Sequence, residues 1–219
     1  MAANSNCVTD VASELLRMSD APESASDERA FITVVSGLPR SGTSLMMQML
    51  AAGGMEPLTD RLRPADDDNP RGYFEFEPVK KLKLDSDWLP QARGKAVKLI
   101  SQLLFDLPAT QSYRILFMRR DLDEVLASQT AMLARRGTPA ARQEKLRDAF
   151  SAHLQKIGAW LDQRANMATR DVDYASLVIH PSQVAAQVNH FLGAGLDVQA
   201  MAAAVDPLLY RHRSRSTLD

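Results

Sequence analysis

The sequence predicts an α/β fold: a three-layer sandwich with a mostly parallel central sheet flanked by helices. Four short apolar runs, at 31–36, 95–100, 113–118 and 171–174, have the length and composition of buried strands. Helical patterns lie between and after them, at 43–52, 122–136, 139–164 and 181–192. Strands that alternate with helices build parallel sheets. The first strand also runs directly into a glycine-bearing turn, "SGLPRSGTSLM" at 36–46, which then opens a helix. That strand–turn–helix order is the arrangement of P-loop-type sandwiches, whose ligands sit at the carboxyl ends of the strands.

Along the chain, residues 1–28 read as a flexible polar arm, and 29–219 as a single domain. The helix at 43–52 stops at Gly53 and Gly54. The segment 57–88 is rich in Pro, Asp and Arg and lacks a period, as functional loops often do. For the helix at 122–136, Asp121 is the expected cap, Glu124 completes a capping-box spacing, and Gly137 follows the last turn. Pro181 sits well at a first helical position, and Gly193 closes that helix.

Lys and Arg total 26 against 27 Asp and Glu, so no bulk charge draws the chain to nucleic acid or a membrane surface. Any anion site must be local. Cys7 is the single cysteine, which excludes a disulfide framework. The first twenty residues carry no positive leader, and no stretch nears the ~20 apolar residues of a membrane span. The expectation is a cytoplasmic protein with no nucleic-acid and no membrane partner; a homo-oligomer is compatible with the sequence.

The turn holds Pro39, Arg40, Ser41, Gly42, Thr43 and Ser44. Its frame is Gly37, four residues, Gly42, with a threonine where a nucleoside triphosphatase carries its lysine. Backbone N–H groups and the helix N-terminus favour an anion, the hydroxyls add donors, and Arg40 adds a permanent planar charge. Without the lysine that reaches β- and γ-phosphates, the loop suits one short anion. A second anion site is expected after the third strand. Arg120 stands at the strand's end and Ser128 eight residues on, about two helical turns along. Each pair of features has a plain alternative, a ligand-free turn and an ordinary surface arginine; together they favour a binding edge.

These two stretches resemble the PAPS-dependent sulfotransferases, in particular the arginine-type loop of bacterial members and the tyrosylprotein branch. The resemblance implies that the 39–44 loop holds the 5′-phosphosulfate of 3′-phosphoadenosine 5′-phosphosulfate (PAPS), and that Arg120 and Ser128 hold its 3′-phosphate. It implies a donor with no γ-phosphate, which would account for the missing lysine, and no metal. "NPRGYFE" at 69–75 and "VDYASLVIHPSQVAAQVNHFLG" at 172–193 also resemble family sequence. The second motif departs from it, since Asp121 and Leu122 replace the usual Asn-Pro. The family's basic C-terminal loop has no clear counterpart, "RHRSRS" at 211–216 being the nearest stretch.

The implied reaction is sulfuryl transfer to a hydroxyl or amine of a small acceptor. Arg40 would stabilise the leaving phosphate. A carboxylate is the natural base; Glu56, Glu75 and Glu77 are the candidates, with Glu75 preferred. Lys98 interrupts the apolar run "KAVKLI" and is the other catalytic candidate, because a lysine rarely sits in a buried strand without a partner. Tyr73, Phe74, Phe76 and Trp88 are expected walls of an acceptor pocket, or else core. The four histidines, the Asp66–Asp68 run and Met46, Met47 and Met49 read as surface or packing residues. Two other functions compete: a P-loop small-molecule kinase and a non-catalytic nucleotide-binding relative.

Overall fold

The computed structural model describes residues 31–209, apart from 61, 64–65, 67–71, 136 and 138–142. The expected arm and the basic 211–216 stretch lie outside them. The central sheet has four strands: β1 (Phe31–Gly37), β2 (Ala96–Lys98), β3 (Ser112–Arg119) and β4 (Met167–Asp173). They are ordered β2-β1-β3-β4, and every neighbouring pair is parallel. The helices are α1 (Thr43–Ala52), α2 (Leu122–Arg135), α3 (Gln143–Leu161), α4 (Tyr174–Ile179), α5 (Pro181–Leu192) and α6 (Val198–Ala203). None of the described helices is long and apolar enough to cross a membrane.

Strand alternation divides the core into two layers. On β3, Ile115 and Phe117 enter one cluster, with Val97, Leu104, Ile157 and Leu161. Leu116 and Met118 enter the other, with Met46, Met49, Leu177, Val188 and Met201. Residues two apart on a strand share a face, so one apolar run feeds both layers. The methionines of α1 are fully buried, in keeping with a packing role.

Two strands differ from the sequence expectation. β4 starts at Met167, four residues before 171, and ends at Asp173. Most of its residues are exposed, so no continuous apolar run marks its start. Tyr174 belongs to α4, whose first turn is capped by Asp173 accepting from Ser176 N–H at 2.7 Å. β2 keeps only three residues, because Leu99 bonds β1 through Val35 O at its end and Ser101 then enters a 3₁₀ turn.

Candidate active site

The strand register builds the site. Gly37 lies opposite Met118, and Val35 opposite Lys98. The turn after β1, Arg120 after β3 and the end of β2 therefore emerge at one edge of the sheet, its carboxyl end. A cleft of about 450 Å³ opens there. Pro39, Arg40, Gly42, Thr43, Ser44, Glu75, Lys98, Arg120 and Ser128 all line it. Sequence-distant candidates are thus brought into one space.

Gly42 is the hinge between loop and helix. Its φ is +100°, a left-handed conformation that suits glycine. A Cβ there would meet the Tyr174 ring at 2.4 Å. Among the described residues no side chain caps the N-terminus of α1, and its first turn has no acidic residue. An anion is therefore a fitting partner for its N–H groups. Ser41 is placed differently from its neighbours. Its hydroxyl is buried beneath the loop without a described hydrogen-bond partner, and its N–H bonds Leu38 O at 3.2 Å.

Arg40 spans the two predicted anion sites. Its φ is +70°, unusual for a side-chain-bearing residue, and its Nε donates to Ser128 Oγ at 2.9 Å. Arg120 donates back from Nη1 to Arg40 O at 3.1 Å. It also donates from Nε to Glu124 Oε2 at 3.0 Å, and its guanidinium lies 4.3 Å from the centroid of the Tyr174 ring. The Arg120 and Glu124 side chains are only 8% and 3% exposed, so this is a buried, charge-assisted pair. Asp121 does cap α2, accepting from Asp123 and Glu124 N–H at 2.9 and 3.2 Å. The Glu124 carboxylate also bonds Arg120. Arg119, by contrast, pairs with Asp171 on the surface at 3.0 Å.

On the other side of the cleft, Lys98 donates to Tyr73 O and lies 3.4 Å from Ser44 Oγ. Burial pushes its pKa down from 10.5 to about 8; nearby Glu75 opposes that shift and Arg63 adds to it. Glu75 Oε1 accepts from Arg63 Nη1 at 2.7 Å. The Arg63 guanidinium lies 3.3 Å from the Tyr73 ring centroid, and Tyr73 Oη donates to Asp66 Oδ1 at 2.6 Å. Asp66 is thus part of a hydrogen-bonded clip; Asp67 and Asp68 lie outside the described residues.

Geometry separates the three carboxylate candidates. Glu75 lines the cleft. Glu56 pairs with Lys95 at the surface, and Glu77 with Lys80. Glu77 opens a 3₁₀ turn (Glu77–Lys81), so it shares no strand face with Glu75. Of the four aromatics, Tyr73 and Phe76 line the cleft, whereas Trp88 and Phe74 pack into the cores. Sequence reasoning missed Arg63, Gln48, Tyr174, Arg135 and Asp206, which also line the cleft. Gln48 follows Ser44 by one helical turn, a signal that was present; Tyr174 is marked only by the close approach of Gly42.

No family model matches the chain, and no curated protein matches it. Solved structures do. The chain is similar to the sulfotransferase domain from the curacin biosynthetic pathway, with TM-score 0.52 and 16% identity over 84% of this chain and 92% of that one. It is also similar to the sulfotransferase domain from the Synechococcus PCC 7002 olefin synthase, with TM-score 0.54 and 14% identity over 84% and 88% of the two chains. At such identities the likeness is one of fold: this chain has the fold of sulfotransferase domains.

Proposed function

We propose that the protein is a sulfotransferase that moves a sulfuryl group from PAPS to a hydroxyl or amine of a small acceptor. One observation carries the reading. Two arginines, Arg40 on the loop after β1 and Arg120 on the turn after β3, share a cleft with a carboxylate and a buried lysine. A donor with phosphate groups at both ends of its ribose fits two such arginines. A donor without a γ-phosphate fits a loop with Thr43 in the lysine position.

The α1 N-terminus, Thr43 and Ser44 would hold the 5′ end of the donor, and Arg120 with Ser128 its 3′-phosphate. Bound there, PAPS supplies a sulfuryl group whose leaving group is a phosphate. Arg40 and Lys98 bring cations to the place where charge develops on that phosphate. Glu75 is the cleft carboxylate suited to accept the acceptor's proton. Arg63 holds its Oε1 and so fixes the carboxylate plane, leaving Oε2 to receive the proton. Positioning and electrostatics supply the rest, as in phosphoryl transfer.

The test is Glu75→Gln, which keeps the shape and removes the base. Turnover of PAPS with an accepted alcohol should fall by roughly 100-fold or more. Affinity for the product nucleotide, 3′-phosphoadenosine 5′-phosphate, should be unchanged. Full activity in the variant would remove Glu75 from the mechanism, and nucleotide binding without turnover in the wild type would favour a binding module.

A further inference from the structure

We infer that the acceptor is an alcohol with a hydrocarbon body rather than a polyol, and that Ile100 and Leu103 select it. This rests on the sulfotransferase reading of the same cleft. The cleft has two chemically different ends. From the turn after β3 and the helix that follows it, the lining is mostly polar: Arg120, Ser128, Gln129 and Arg135, with Met132 among them. Toward β2 it is hydrocarbon, formed by Phe76, Val79, Leu99, Ile100 and Leu103.

The apolar end adjoins the chemistry through the chain itself. Glu75 is followed directly by Phe76, and Lys98 by Leu99 and Ile100. An acceptor oxygen placed at Glu75 therefore has its body against these side chains. Val79 and Leu99 are buried in the core beneath, and Phe76 and Leu103 pack on it, so the lobe has a fixed floor. Ile100 is 47% exposed, one of few large apolar side chains left so among the described residues. Ile100 is the exposed apolar side chain that lies on the cleft wall, where a bound ligand would cover it.

The charged side chain on this wall is Lys80, which is exposed and tied to Glu77. A sugar seated here would face hydrocarbon with its hydroxyls and lose their hydration. An alkyl or aryl body would gain from each carbon removed from water, by about three- to fourfold in affinity per methylene.

The experiment is calorimetric titration of n-butanol, n-hexanol, n-octanol and glucose into the wild type, with and without saturating 3′-phosphoadenosine 5′-phosphate. Affinity should climb along the alcohol series by about threefold to fourfold per methylene, and glucose should give no binding heat. Ile100→Asn and Leu103→Asn should each flatten the series and keep nucleotide affinity. A flat series in the wild type, or glucose bound as well as n-octanol, overturns the inference. The nucleotide arm reports separately on the sulfotransferase reading. Nucleotide binding with a flat series removes only the acceptor class, whereas a steep series without nucleotide binding removes the donor and leaves the apolar lobe.

Discussion

Lys98 is a cation held where water is scarce, and its depressed pKa makes it visible in stability. The folded value is about 8 against 10.5 for an ordinary lysine. Between those two pH values the unfolded chain binds more protons than the folded one, so stability rises with pH across that window. Below about pH 8 both states are protonated, and the full cost of the buried ammonium applies, on the order of 3 kcal/mol. Urea denaturation at pH 7 and pH 10 should show Lys98→Met losing this rise relative to the wild type; a constant difference between the two proteins would contradict it. Arg120 and Glu124 form the second buried charge. Arg120→Ala removes a charge partner from a buried carboxylate and should cost about 3–5 kcal/mol. Adding Glu124→Leu should restore much of that loss, because the buried carboxylate is removed as well. A urea double-mutant cycle reads the coupling, and simply additive losses would show that the pair is not energetically joined.

Under the proposed function, the loop–helix junction is the element on which donor binding depends. Gly42→Ala forces a Cβ into φ +100° and to within 2.4 Å of the Tyr174 ring. It should destabilise the fold by about 1–3 kcal/mol and weaken nucleotide binding. Tyr174→Leu added to it removes the ring clash and leaves the φ strain, so it should rescue the variant only in part, as a shift in urea midpoint would show. This junction was legible in the sequence because its signals are local: a strand, two glycines at fixed spacing and a helix. Asp121 was legible as a cap for the same reason. The Arg120 contact of Glu124 had no sign in the sequence beyond its i,i+4 spacing, because burial beside the strand end brings the two together. The start of β4 was hidden since only Met167 and Val172 of that strand are buried. α4 and α6 have six residues each, too few to show a helical period. Arg63 bonds Glu75 twelve positions along the chain, a contact for which sequence has no periodic sign.

At the scale of the whole molecule, the parallel register is what makes a site from scattered residues. It levels the ends of β1, β2 and β3, so that Arg40, Lys98 and Arg120 meet at one edge although 80 residues separate the first from the last. With charge nearly balanced over the chain, the proposed anion binding rests on this local cluster. The proposed function requires the two arginine sites to bind the two ends of one nucleotide. The most direct measurement is calorimetric titration of 3′-phosphoadenosine 5′-phosphate beside magnesium ATP, into the wild type, Arg40→Ala and Ser128→Ala. The bisphosphate should bind the wild type in preference to magnesium ATP, without need of magnesium, and more weakly in both variants. Preference for magnesium ATP, or bisphosphate binding untouched by either substitution, would contradict it.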